Sequence, residues 1–422
     1  MKIFNCRLCN GKLSEPKLNL GKTPLANEFV KEKIEQDLFP LEICVCEECE
    51  HYQLNEQVDP ERMFRNYYYV AGTSPVNVEH FRQYAQSMIT KFNLKPGSKI
   101  LDIASNDGTL LKHFKELGMS VLGIDPAKNL AEEANKNGIP TIPEFFTEQY
   151  AVTILEKYGQ FDLITANNVF AHVPDIIDFT KGVRKLLKPR GVFSFEVSYF
   201  GDVVDKNLFD TIYHEHTSYH TIKPLISFFN SHHMKIIDLE FISNHGGSVR
   251  IFVSNKDEPN TKGYWCPICI KEHAIDKHYY TIPSAMTACN NEVNINIQIK
   301  QLQKDIKLLG YELREKLQEF KSQGKSIAIY GVPAKATTLM YALNIDAKMI
   351  DFAVDDAVLK QGTFTPGKHI PVLHPDAIYE KNPDVLLVLG WNFAESIIKK
   401  HSNFKGTWII PLPEIKVING RI

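Results

Sequence analysis

Lys99-Ile-Leu-Asp-Ile-Ala-Ser-Asn-Asp-Gly-Thr-Leu110, followed by Val121-Leu-Gly-Ile-Asp125, decides the fold. Ile100, Leu101, Ile103 and Ala104 surround Asp102 and read as a buried strand. Ser105-Asn106-Asp107-Gly108 is a polar turn, and Leu110, Leu111, Phe114 and Leu117 then recur at helical spacing. A second apolar strand ends in Asp125. Strand, tight loop, helix, strand and acid make half of a doubly wound nucleotide-binding sheet, whose ligands bind at the carboxyl ends of the strands.

The three glycine positions of a dinucleotide fingerprint fall on Ala104, Asn106 and Gly108. A pyrophosphate needs the close backbone approach that glycines allow. Asp102, Asp107 and Asp125 would also repel it. The same carboxylates suit a cationic cofactor with a ribose and no phosphate, S-adenosylmethionine. Asp125 would hold the ribose hydroxyls and the loop the methionine end. An ordinary αβ unit with a solvated acidic loop competes with this reading.

At 422 residues the chain is expected to divide into two or three domains. A hydrophobic share of 44% and a charged share of 23% are those of a globular protein. The net charge of −2 gives no reason to expect a nucleic-acid partner. No apolar run reaches membrane-span length and no signal-peptide core is visible, so the cytoplasm is the expected location, without a membrane partner. Eight cysteines there point to metal or buried thiols rather than disulfides.

Cys6-x2-Cys9 and Cys46-x2-Cys49 are two knuckles whose four thiolates complete a closed tetrahedral zinc site, supporting folding rather than chemistry. Cys44 is a spare candidate, and Cys266/Cys269 form a further pair without a partner. Tyr67, Tyr68 and Tyr69 precede a Gly/Thr/Ser/Pro loop; they read either as connector packing or as a loop hydroxyl beside the cofactor. Phe145-Phe146 reads as an adenine sandwich or as core aromatics, and Asn167-Asn168 ends a strand facing the same crevice. Strands and helices alternate over residues 99–197, as in a parallel sheet.

The densest chemical cluster is Asp210-Thr-Ile-Tyr213-His214-Glu215-His216-Thr-Ser-Tyr219-His220. A histidine metal site and a polar surface compete with acid/base catalysis, in which a carboxylate orients an imidazole. His245-Gly-Gly-Ser-Val-Arg250 is a glycine turn that suits a diphosphate. A long helix over 291–317 leads to a second αβ unit after Gly324, with the single loop glycine Gly331.

Taken in order, Cys6-x2-Cys9, Cys46-x2-Cys49, Asn106-Asp-Gly108, Tyr213-x-Glu215-His216, His245-Gly-Gly247 with Val249-Arg250, Gly331-x2-Ala334-Lys335, Thr365-Pro-Gly367 with His369-Ile-Pro371, and Trp391-Asn392 resemble a family along the full chain. It is the bacterial zinc-containing sugar C-methyltransferases, which use S-adenosylmethionine on nucleotide-linked 4-keto-deoxy sugars. Val70, Val197-Ser198 and Cys266/Cys269 depart from the family pattern.

The resemblance implies an α/β chain in four parts: a zinc module (1–60), a class I methyltransferase Rossmann-like domain (61–255), a connector (256–295) and a C-terminal Rossmann-like sugar-nucleotide-binding domain (296–422). It implies methyl transfer to C3 through an enolate, with His216 as base and Glu215 orienting it. Tyr213 and His172 would contact the sugar or the enolate oxygen, and Tyr69 would close the cofactor side. Asp102, Asn106, Asp107, Gly108, Asp125, Phe145, Phe146, Asn167 and Asn168 would hold the cofactor, and Arg250, Lys335 and His245 the substrate. A monomer is expected. The rivals are a zinc-ribbon nucleic-acid methyltransferase, an NAD-dependent sugar oxidoreductase and a non-catalytic sugar-nucleotide binder. Asn167-Asn168-Val169-Phe170 lacks the proline pair that holds a flipped base, and Val332-Pro333 disfavours a nicotinamide cofactor.

Overall fold

Lys99–Ile103 pairs in parallel with Ser120–Ile124 on one side and Phe161–Asn167 on the other. These strands belong to a computed structural model that describes residues 1–242, 246–256, 289 and 292–420. Thr141–Ile142 and Leu187–Ser198 extend the sheet in parallel. Ser248–Asn255 then adds antiparallel to Leu187–Ser198, and Met234–Ile242 closes that edge. Numbered along the chain, the seven strands lie in the order 3-2-1-4-5-7-6. This is the class I methyltransferase arrangement. The order reverses beside Lys99–Ile103, so the crevice opens at that strand's carboxyl end.

Helix Thr109–Glu116 buries Leu110, Leu111 and Phe114 against this sheet. The helix leading into the first strand runs Pro75–Lys91. Its start is set by Ser74, whose side chain accepts the Asn77 N–H, and by Pro75 in the first turn.

The N-terminal strands Leu18–Thr23, Phe39–Val45 and Tyr52–Leu54 form a second sheet, completed by Ser218–Tyr219, which lies in the chain between the sheet strands Leu187–Ser198 and Met234–Ile242. The change at residue 60 therefore divides the sequence but not the sheet.

In the C-terminal part, Ile327–Tyr330 lies between the parallel strands Phe352–Val354 and Val385–Val388. Pro371–Leu373 and Thr407–Ile410 follow in parallel, and Thr363–Phe364 and Lys416–Asn419 cap the two edges antiparallel. This is a Rossmann-like sheet. The long helix Ile295–Ser322 buries Ile295, Ile299, Leu302, Ile306, Leu309, Leu313 and Leu317, a stripe with steps of three and four. That stripe shares one core with Leu18, Leu41, Ile43 and Leu54 of the N-terminal sheet and with Leu339 and Met340 of helix Ala334–Ala342. Among the described residues, no helix is long and apolar enough to cross a membrane.

Candidate active site

A cavity of about 340 Å³ lies where the two Rossmann-like sheets face each other. One wall comes from the carboxyl ends of the methyltransferase strands, the other from Pro333–Lys335, Lys360 and Asn392, with Asn27 and Phe64 reaching in from the N-terminal side.

At the cofactor end, Ala104, Asn106 and Gly108 all have positive φ, at 54°, 53° and 79°. The loop thus takes the left-handed turns of a glycine fingerprint with a single glycine. Asp125 Oδ2 accepts the Asn106 N–H at 2.7 Å, and its Oδ1 accepts the Ala127 N–H at 2.7 Å. Thr165 donates its hydroxyl to Asp102 Oδ1 at 2.6 Å. Burial pushes the Asp102 carboxyl up to about 7 and that of Asp125 up to about 6. Both line the cavity, where a cationic ligand would favour their ionised forms. Asn167 also lines it, and its amide N and O are buried without a partner among the described residues. Two buried carboxyls and an unpartnered amide fit the ribose and the sulfonium amino acid of S-adenosylmethionine.

At the other end, His216 Nδ1 lies 2.7 Å from the Thr211 carbonyl. A carbonyl only accepts, so Nδ1 carries a proton, and the neutral form of His216 has its lone pair on Nε2. The Tyr213 ring lies 4.1 Å from the His216 ring and the His172 ring 4.8 Å from it. All three line the cavity. Burial, and then the neighbouring His216, hold His172 well below the ordinary histidine value, so it is neutral. Burial, with Glu215 close by, keeps Tyr213 well above the ordinary tyrosine value and therefore protonated.

From the C-terminal sheet, the Lys335 ammonium sits 4.1 Å from the Trp391 ring centroid and 3.5 Å from Asp210 Oδ2. Lys360 donates to the Val332 carbonyl at 3.0 Å. Asn392 Oδ1 is buried and has no partner among the described residues.

Away from the cavity, ligand atoms of Cys6, Cys9, Cys46 and Cys49 lie within 4.8 Å of one another. Backbone N–H groups of Leu8 and Gly11 donate to the Cys6 and Cys9 sulfurs, and those of Glu48 and Cys49 to Cys46. Such donors stabilise thiolates, and the set fits a closed tetrahedral zinc. Cys44 is buried in its strand outside this cluster.

Three family models match the chain: a candidate zinc binding domain over 6–64, a methyltransferase domain over 78–237 and a C-methyltransferase C-terminal domain over 243–413. The C-methyltransferase NovU of Streptomyces niveus is 31% identical over 423 residues, covering 99% of this chain and 97% of that one. This chain belongs to the C-methyltransferase family. It is an S-adenosylmethionine-dependent enzyme with a zinc-binding N-terminal part. A ubiquinone biosynthesis O-methyltransferase of Bartonella bacilliformis is 35% identical over 107 residues, only 24% of this chain and 42% of that protein. An S-adenosylmethionine-dependent methyltransferase structure from Clostridium acetobutylicum ATCC 824 is similar at 14% identity, over 42% of this chain and 92% of that one, with a TM-score of 0.35. That likeness carries no argument of its own; the strand order and the family models do.

Several residues of this C-methyltransferase sit elsewhere than the motifs suggest. Glu215 does not orient His216. Its Oε2 accepts the Tyr67 hydroxyl at 2.6 Å and its Oε1 the Asn27 amide at 2.7 Å. The backbone carbonyl of Thr211 does the orienting instead. Phe146 meets Phe179 edge-on at 5.1 Å and lies over Gly182, where any Cβ would come within 3.0 Å of its ring. Phe145 lies under the Arg65 guanidinium at 4.7 Å. Neither lines the cavity, so they form no adenine sandwich there.

Asp107 and Gly108 are also outside the cavity wall. Asp107 accepts the Gly72 N–H at 2.9 Å and the Thr109 hydroxyl at 2.7 Å, tying a neighbouring loop to the start of the helix. Arg250 is not available to a diphosphate. It donates to Glu196 at 2.6 Å and to Glu240 at 3.0 Å, its register partners on the two flanking strands. His245 and Cys266/Cys269 lie outside the described residues.

His214 Nε2 donates to the Pro40 carbonyl (3.1 Å) and His220 Nε2 to the Phe170 carbonyl (3.3 Å). They form no metal cluster with His216 among the described residues. Tyr69 lines the cavity and its hydroxyl accepts from Asn77, while Asn168 lines it beside Asn167. Asn27, Phe64 and Lys360 were not visible from motifs. Asn27 reaches the cluster only through folding: its partner Glu215 is 188 residues away.

Proposed function

We propose that this C-methyltransferase transfers a methyl group to C3 of a nucleotide-linked 4-keto-6-deoxy sugar through an enolate. The observation that carries this reading is His216, with its Nδ1 proton held by Thr211 and its ring in the wall of a cavity that begins at Asp102 and Asp125. A ketone at C4 acidifies the C3 proton, and Nε2 of His216 accepts it. Tyr213, protonated at neutral pH, donates to the developing enolate oxygen, and neutral His172 contacts the sugar. Tyr69 and Tyr67 close the cofactor side. When bound, S-adenosylmethionine would supply the electrophilic methyl group, its S–methyl bond breaking as the bond to C3 forms and S-adenosylhomocysteine leaving.

A sugar nucleotide also suits the far wall. Lys335 and Lys360, from the C-terminal Rossmann-like part, line the same cavity, each within 3.6 Å of one carboxylate, Asp210 and Asp355, and a diphosphate would offer their remaining N–H groups oxygen acceptors. The substrate is thus a small molecule bridging two sheets.

The test is proton exchange. The protein is incubated with a nucleotide-linked 4-keto-6-deoxy sugar in deuterated water, with and without S-adenosylmethionine, and the products are read by mass spectrometry. Deuterium at C3 without cofactor, and a methyl-sized gain with it, are expected. Neither product across several nucleotide sugars would sink the reading.

A further inference from the structure

The turn that orients His216 is held from outside the methyltransferase sheet. Phe209–Thr211 is a single short turn, and Asp210 within it is fully buried. Asp210 Oδ2 accepts the Trp391 indole N–H at 2.6 Å. The Lys335 ammonium is 3.5 Å from the same oxygen and packs on the Trp391 ring. One residue beyond Thr211, the Ile212 carbonyl accepts the hydroxyl of the buried Thr338 at 2.6 Å. Trp391 and Thr338 both belong to the C-terminal Rossmann-like part. They grip the chain on either side of Thr211, whose carbonyl takes the His216 Nδ1 proton.

We propose that Trp391 and Thr338 are positioning residues for the base. By fixing Asp210 and Ile212 they aim the Thr211 carbonyl, and so decide which nitrogen of His216 carries the lone pair. This rests on the reading of His216 as the base. The two tautomers of a neutral imidazole differ little in energy, so one hydrogen bond selects between them. Such a bond contributes on the order of 0.5–1.5 kcal/mol, and its loss converts to about 2- to 10-fold in the fraction of competent tautomer. With the proton on Nε2, His216 has no lone pair there to accept a proton from C3. The C-terminal part therefore does more than face the cavity: it prepares the base.

The test labels histidine with ¹⁵N in the full chain and reads which His216 nitrogen is protonated by NMR, with the resonance assigned by its loss in His216→Gln. The wild-type signal is expected to be that of an Nδ1–H imidazole. Thr338→Val removes a hydroxyl, and Trp391→Phe removes the N–H while keeping a ring under Lys335. Both are expected to introduce the Nε2–H form and to slow C3 exchange about 2- to 10-fold, with S-adenosylmethionine affinity within about 2-fold of wild type. Thr338→Ser, which keeps the hydroxyl, is expected to match wild type. A wild-type tautomer signal in both Thr338→Val and Trp391→Phe would overturn the proposal. Absent C3 exchange in the wild type would count against the base instead, because the NMR signal reports on the clamp without substrate.

Discussion

His216 and Glu215 are adjacent in sequence and act on different partners. His216 is bonded to a backbone carbonyl, Glu215 to Tyr67 and Asn27. On the proposed reading, removing the imidazole removes the proton acceptor itself. His216→Gln is therefore expected to cut turnover roughly 10²–10⁴-fold with S-adenosylmethionine affinity nearly intact. Glu215→Gln is expected to cost less, about 10-fold, because Glu215 acts only through the placement of Tyr67. Steady-state kinetics on the two variants checks the order; a larger loss in Glu215→Gln would reverse the assignment. Asp102 makes a second prediction at this scale. Its folded carboxyl titrates at about 7 against an ordinary 3.8. The folded state therefore favours the protonated acid: that contribution is complete below pH 3.8 and lost as pH rises to about 7. Asp102→Asn keeps an acceptor for Thr165 and carries no charge. It is expected to stabilise the ligand-free protein by about 1–3 kcal/mol at pH 8 and by much less at pH 5. Thermal unfolding at both pH values measures the difference.

At the scale of elements, the loop after the first sheet strand is held by side chains. Asn106 Oδ1 accepts the Ala71 N–H at 2.9 Å, and its Nδ2 donates to the Tyr69 carbonyl at 3.0 Å. One amide thus fixes the Tyr69 loop over the cofactor end. Asn106→Ala leaves three backbone groups, Ala71 N–H, Asp107 N–H and the Tyr69 carbonyl, without that partner and places alanine at φ 53°. S-adenosylmethionine binding is expected to weaken about 10-fold, read by calorimetry, with the overall fold retained. An unchanged affinity would show that the Tyr69 loop is held by other contacts.

On the scale of the whole molecule, the zinc-binding part is continuous with the site. Its sheet takes Ser218–Tyr219 as its last strand, two residues after His216, and its Asn27 bonds Glu215. On the proposed reading, a metal held away from the cavity would support the base through this shared sheet. Cys6→Ser is expected to lose bound zinc by elemental analysis, to lower the melting temperature by several degrees, and to abolish methyl transfer with it. A zinc-free variant with full turnover would uncouple the two parts.

The chain's own periodicity determined the two Rossmann-like sheets and the cysteine knuckles, because burial of alternating strands and paired C-x2-C turns are local properties. Asp102, Asp125, Asn167, Tyr213 and His216 were legible for the same reason: each ends a strand or sits in a dense polar motif. Tertiary structure alone decided what those residues touch. Arg250 looked like a phosphate ligand until its flanking strands set Glu196 and Glu240 beside it. Phe146 looked like a cofactor contact until Gly182 gave its ring a place in the core. Glu215 looked like the partner of its neighbour, yet the bond that orients His216 comes from a carbonyl, which every residue carries and no sequence motif marks. Partners such as Asn27 and Glu215 are 188 residues apart, and only packing brings such groups within a hydrogen bond.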